Sequence, residues 1–149
     1  MRFPTPARDT ALLLARVGIG LVFFAHGWQK LFTNGVDGTS AFFGQVGVPL
    51  PTLSAWFAAV VELVGGAALI LGIAVPAAAL LLVIDMIGAF LFVHAGNGLF
   101  MEKNGFELVL ALAAASLVLG VLGAGRFSLD HAVLNRFRAR SGEAALSRG

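Results

Sequence analysis

The sequence predicts an all-α membrane protein: a bundle of four transmembrane helices followed by an interfacial, amphipathic C-terminal helix. Three observations lead there. The 149 residues are 58% hydrophobic and only 12% Asp, Glu, Lys or Arg, whereas soluble domains carry about 25% charged residues. The mean hydropathy is +0.91. The apolar residues also gather into four runs, at about 10–32, 53–74, 76–95 and 105–122. Each is close to the roughly 20 residues a helix needs to cross about 30 Å of hydrocarbon. Backbone polar groups in lipid must be paired within their own segment, which selects helices. Residues 1–130 then form one transmembrane domain, and 131–149 a basic cytoplasmic tail, amphipathic at first and disordered beyond Ser141.

The first run is interrupted by Arg16, His26 and Lys30. It reads as a span and not as a cleaved signal peptide, because it is long, charged inside and has no A-x-A site at a suitable distance. The connection from Thr33 to Thr52 is long for a helical bundle and rich in glycine. Ser40 is placed there to cap a short helix carrying Phe42, Phe43 and Val46. A tight turn near Ala74–Ala77 makes spans two and three an antiparallel hairpin. Glu62 and Asp85 each lie nine residues from one end of their runs, so at about 1.5 Å per residue both sit at a similar depth near the midplane. After span four, Gly123 and Gly125 end the helix and Ser128 can cap another. In that next helix Leu129, Val133 and Phe137 share a face, with Arg136, Arg138 and Arg140 supplying charge for an anionic leaflet.

Eight of the ten basic residues, three towards the N-terminal end and five in the C-terminal tail, fall on one side, leaving Lys30 and Lys103 for the other. The positive-inside rule therefore puts both termini in the cytoplasm, and an even number of spans requires that they share a side. The expected location is the bacterial cytoplasmic (inner) membrane. The pI is near 9.9, but the net charge is only +2 and forms no groove-sized patch. Nucleic acid is not an expected partner. Cysteine is absent, which removes thiolate catalysis, disulfide exchange and Cys-ligated metal or iron–sulfur sites from this chain's own chemistry.

The chemistry-bearing residues are the polar ones in the runs. Arg16, His26 and Lys30 fall on one face of span one, within an arc of about 80° at 100° per residue. Arg16 can snorkel to the inner interface or pair with a carboxylate. Lys30 can be a boundary anchor or a ligand-binding group, and His26 can simply bond a backbone carbonyl. Trp28 and Trp56 read as interfacial anchors. Glu62 and Asp85 are costly in lipid. They either form ion pairs with Arg16 or Lys30, or bind a proton, a cation or a polar head group. His94 lies nearly opposite Asp85 on an ideal helix, near the outer mouth, where it can meet His26, Lys30 or Glu107 across the bundle. No short ligand spacing supports a metal site, and none is expected.

Three ordered pieces of this sequence resemble the DoxX family. They are Arg16 with Phe24-Ala25-His26-Gly27-Trp28-Gln29-Lys30, then Glu62-Leu63-Val64-Gly65-Gly66-Ala67 with Leu71-Gly72, and Gly123-Ala124-Gly125-Arg126-Phe127-Ser128-Leu129-Asp130. The resemblance spans Arg16 to about Asp130. It implies a small four-helix inner-membrane protein associated with quinone-linked or oxidant-defence redox complexes. One branch of that family is the small subunit of a thiosulfate:quinone oxidoreductase, and actinobacterial members are tied to a complex with superoxide dismutase and a sulfurtransferase. This chain departs from thiol-based versions of that chemistry by having no cysteine, and it has no large soluble domain for a catalytic cofactor.

Three functions follow as expectations. The first is a membrane subunit or anchor coupling a soluble redox-enzyme partner to the quinone pool, with quinone as the candidate cofactor. The second is a proton-coupled carrier, which at this size would need to form a homo-oligomer. The third is a non-catalytic scaffold whose charges only lock helices together.

Overall fold

The computed structural model describes residues 5–132. Among them every regular element is a helix, and the order is simple. α1 runs over Thr5–Trp28 and continues as a wider π-type turn over Gln29–Thr33. α2 is Gly35–Gln45, α3 is Pro51–Leu71 and α4 is Val75–Ala89. α4 is prolonged by a second π-type turn, Phe90–His94, and a short 3-10 turn, Ala95–Asn97. A 3-10 turn at Met101–Lys103 leads to α5, Glu107–Leu122. Three of these helices are long and apolar enough to cross a membrane: Thr5–Thr33, Pro51–Leu71 and Val75–Asn97. The fourth, α5, has 16 residues, about 24 Å at the usual rise.

Local chemistry explains the boundaries. Pro51 and Pro76 stand in the first turns of α3 and α4, where the missing N–H has no intrahelical partner to lose. α3 ends at Gly72, whose φ of 71° closes a Schellman motif. Ile73 N–H donates to the Ala68 carbonyl at 2.9 Å, and Gly72 N–H to Leu69 at 3.3 Å. α5 cannot extend backwards into its loop. Phe106 N–H donates to Gly98 C=O at 3.0 Å and Glu107 N–H to Leu99 C=O at 2.9 Å, which pins the loop as a closed turn. After α5, Ser128 Oγ accepts the His131 N–H at 3.2 Å, so Ser128 does cap the helical turn that follows.

Two expectations need correction or lie elsewhere. The helix in the long connection starts at Gly35, so Ser40 is inside α2 and caps nothing; its hydroxyl is 2.9 Å from that of Thr52. With the start at Gly35, Ser40 falls in the second turn, and buried Thr39 shares its one hydroxyl proton between the carbonyls of Gly35 and Lys30, tying the first turn of α2 to the end of α1. The expected amphipathic helix with Val133, Phe137, Arg136, Arg138 and Arg140 lies outside the described residues.

α1 packs chiefly on antiparallel α3, and α4 on α5. Small residues make the first contact possible. A Cβ on Gly66 would lie 2.5 Å from the Phe24 nitrogen, and one on Gly20 would lie 2.7 Å from the Gly66 oxygen. A Cβ on Gly27 would fall on the Leu63 backbone. Such backbone-to-backbone approach is how helices associate where lipid removes the hydrophobic drive. The apolar core is built from Leu12, Phe23, Leu69, Leu82, Met86, Val109 and Leu112, among others. The outward faces are also apolar, with Leu21, Val64, Leu80, Leu117 and Val121 exposed. That inside-and-out apolarity belongs to a membrane protein.

Candidate functional site

The Gly27–Leu63 approach brings the next turn of α1 against α3. There Lys30, in the π-type turn, donates to Glu62 Oε2 at 2.5 Å. Glu62 is only 4% exposed. From α4, the 8%-exposed Asp85 lies within side-chain hydrogen-bonding reach of Glu62 and close enough to feel the Lys30 charge. The ammonium is bonded to Glu62, and Asp85 is the second carboxyl group of the cluster, without a bonded cation of its own among the described residues. A π-type turn widens the helix and re-aims its side chains, and such turns recur at functional sites. The second one, Phe90–His94, lies across the bundle at the same end.

These groups form the floor of a cavity of about 490 Å³. Its walls are mostly apolar and aromatic, with Phe23, Phe57, Phe92, Met86 and Leu112 prominent. Phe42 and Phe43 of α2 and Met101, Asn104 and Gly105 of the loop before α5 border it at the loop end. His26 and His94 are its other titratable lining residues. His94 Nδ1 sits 2.8 Å from the Asn104 carbonyl, which holds the ring at the rim. An apolar pocket with a few convergent polar groups is the usual form of a small-molecule site.

Of the seven polar candidates, five come together here: His26, Lys30, Glu62, Asp85 and His94. Arg16 and Glu107 do not. Arg16 is fully buried at the opposite, terminus-side end of the bundle, where Nη2 donates to the Phe127 carbonyl and Asp130 is the nearby carboxylate. It is covered by the chain that follows α5 and does not meet Glu62. Glu107 Oε1 accepts the Met101 N–H at 2.7 Å and so braces the loop before α5. Among the motif residues, Gly27 and Gly66 line the α1–α3 contact, and Gly65 abuts the Leu82 side chain of α4. Gly123 and Gly125 take positive φ after α5, and Asp130 N–H donates to Gly72 C=O at 3.1 Å. Among the described residues no three His, Asp or Glu side chains gather as metal ligands. Phe57, Gly88 and Phe92 of the cavity wall carry no sequence signal that sets them apart from any lipid-facing apolar residue.

Fold and site together define a small helical membrane protein with a buried, charged cluster opening into an apolar cavity. Comparison with known proteins makes this more specific. The DoxX family model matches residues 11–95. The chain is 36% identical over 111 residues to "Putative oxidoreductase CatD" of Bacillus subtilis (strain 168), covering 74% of this chain and 79% of that one. It is 30% identical over 129 residues to "Inner membrane protein YphA" of Escherichia coli (strain K12), covering 83% and 91%. It is 32% identical over 139 residues to "Uncharacterized membrane protein Rv3486" of Mycobacterium tuberculosis (strain ATCC 25618 / H37Rv), covering 87% and 85%. No solved structure matches it. The chain belongs to the DoxX family.

Proposed function

We propose that this chain is a membrane subunit of a quinone-linked redox complex and that its cavity takes a quinone head group. The observation that carries this reading is the cavity's composition: a Lys30–Glu62–Asp85 floor, with His26 beside it, under aromatic and aliphatic walls. A quinone ring is flat, apolar on both faces and carries two carbonyl acceptors. Phe23, Phe57 and Phe92 offer surfaces for its faces, and Lys30 supplies donors for a carbonyl oxygen. The residues present therefore fit such a group. When bound, a quinone supplies two-electron, two-proton chemistry.

This chain's own groups orient the ring and handle protons. Lys30 holds a carbonyl oxygen by a charge-assisted bond while Glu62 keeps the ammonium in place. Two carboxyl groups around one ammonium leave a negative charge over, and a proton balances it; the same proton stands in position for transfer to the ligand oxygen. Electrons come from a soluble redox enzyme at the membrane surface, since the chain has no thiol to supply them. The relative named as an oxidoreductase supports the redox assignment. Relatives named as inner membrane proteins support the bacterial cytoplasmic membrane as its place. The basic chain ends support a cytoplasmic side for both termini.

The test is binding of a decyl-tailed benzoquinone to the purified full chain in phospholipid nanodiscs, read from tryptophan quenching. The unsubstituted chain is expected to bind. Glu62→Gln, with its helicity checked by circular dichroism, is expected to weaken binding about tenfold, or 1.4 kcal/mol. No binding by the unsubstituted chain sinks the quinone reading, and unchanged binding by the variant takes Glu62 out of the site.

A further inference from the structure

The cavity is closed towards α1, where Phe23 is buried. Towards the α3–α4 hairpin it is not. These two helices touch near Gly65 of α3, which lies against the Leu82 side chain at 3.1–3.3 Å from a would-be Cβ. Further towards the loop end the lining passes to Phe57 on α3 and to Ile84, Gly88 and Phe92 on α4. Phe57 is 40% exposed, Ile84 47% and Phe92 41%. A side chain that lines a cavity and is also this exposed stands at an opening. The opening is on the flank of two spanning helices, level with and just beyond the Glu62–Asp85 floor, where the surroundings of a bundle are acyl chains. Gly88 marks its threshold, since a Cβ there would meet nothing within 4 Å. A second rim lies at the loop end, where Phe42 and Met101 are part exposed; that one faces the aqueous side.

We propose that the cavity is filled sideways from the bilayer, through the gap between α3 and α4. Its ligand class is then an amphipathic molecule with a hydrogen-bonding head and a long apolar tail. The head reaches Lys30, Glu62 and Asp85, and the tail stays in the gap over Gly88, between Phe57 and Phe92. A charged floor deep in an apolar shaft suits such a molecule, because a fully polar ligand would strand its far end against phenylalanine. For the head group this inference rests on the quinone reading. The gap itself is a separate geometric claim, and Gly88 is its selectivity residue: a larger side chain there fills the gap without touching the floor.

Two measurements decide it. In nanodiscs, the association rates of a decyl-tailed benzoquinone and of the same ring without a tail are compared for the full chain and for Gly88→Leu. The variant is expected to slow the tailed probe at least about tenfold and the tail-less one less than about twofold. Equal slowing of both, or of neither, overturns the lateral route. If neither probe binds the unsubstituted chain, the quinone reading fails, and the gap is judged by the second measurement. Because the chain has no cysteine, Gly88→Cys carries its only thiol. A bimane fluorophore attached there is expected to be quenched by phospholipids brominated on their acyl chains and not by aqueous iodide. Quenching by iodide and not by the brominated chains overturns the opening to lipid.

Discussion

Arg16 and Lys30 share one face of α1, and both lie against α3, yet the two ends of that interface treat them in opposite ways. At the terminus side, α3 stops at Gly72, and its left-handed turn lets the chain close over the guanidinium. Arg16 donates to Phe127 C=O, and the capped turn at Ser128 is stitched to Gly72 by the Asp130 N–H. Arg16 lines no part of the cavity. At the loop side, Gly27 allows the same closeness, but beyond it the bundle opens and α4 delivers Asp85 against Glu62. A buried charge is structural or available to a ligand according to what is left open beside it, not according to its own chemistry. The terminus end is a lock, and the loop end is a site.

The largest effect belongs to the lock. Gly72→Val adds a Cβ where the Arg16 guanidinium already lies and 2.6 Å from Ser128 Cβ. It also puts a β-branched residue at φ 71°. Left-handed backbone alone costs roughly 1–2 kcal/mol, and overpacking adds about 1–3 more. A total near 3 kcal/mol corresponds to a drop of roughly 6–12 °C in melting temperature for a chain of this size. Thermal unfolding in detergent checks it. A melting point within about 2 °C of the parent would mean that the terminus end is not closed over Arg16, and the contrast between the ends would fail.

A middle-sized effect separates locking from ligand binding at the loop end. Removing one member of a buried ion pair strands the other, at about 3–5 kcal/mol when both are fully buried. Lys30 keeps 20% of its side chain exposed, so Glu62→Leu or Lys30→Met alone is expected to cost nearer 2 kcal/mol. The double variant Lys30→Met/Glu62→Leu is expected to recover stability to within about 1 kcal/mol, because apolar replacement of a whole buried pair is close to neutral. Quinone binding is expected to stay lost. Recovery of both stability and binding would make the pair a scaffold only, and the loop end would join the terminus end as a lock.

Much of this was open to reading in the chain itself. The apolar runs set the helices, and equal offsets within two runs put Glu62 and Asp85 at one level. What the chain could not disclose depends on where helices part. The shared face of Arg16 and Lys30 follows from periodicity, but their separation into two environments follows from the Gly72 turn and from the spread of α3 from α4. Ser40 looked like a cap because polar residues favour helix starts. The helix instead begins at Gly35, five residues earlier, which leaves Ser40 in its interior. Glu107 looked available as a partner for His94, yet the Met101 N–H claims it. Helical spacing also assumes 3.6 residues per turn, so the two π-type turns that carry Lys30 and His94 are invisible to it.

The smallest effect on folding is expected where the loop-end site is most distinctive. Asp85→Asn keeps the side chain's shape and removes the carboxyl group that the Lys30–Glu62 pair leaves without a cation. Stability is expected to change by less than about 1 kcal/mol, since no bond to a cation is lost with it. The ligand-binding consequence has a definite sign. A protonated Asp85 donates a hydrogen bond to a carbonyl oxygen, whereas the ionised form accepts only. In the parent chain, binding of the decyl-tailed probe is therefore expected to tighten as pH falls and to weaken as pH rises. Asparagine donates at every pH, so the variant is expected to lose most of that dependence and to hold the probe at high pH. Glu62 on α3 and Lys30 at the end of α1 are the charged groups nearest Asp85, and His26 and His94 are the other titratable residues lining the same cavity. Whatever slope survives in the variant belongs to them. Titration of the probe across pH, on parent and variant side by side, checks the sign. A parent that binds equally at all pH values, or a variant with the same slope, would remove Asp85 from proton handling. It would then be a second lock, a buried charge with a structural role like that of Arg16.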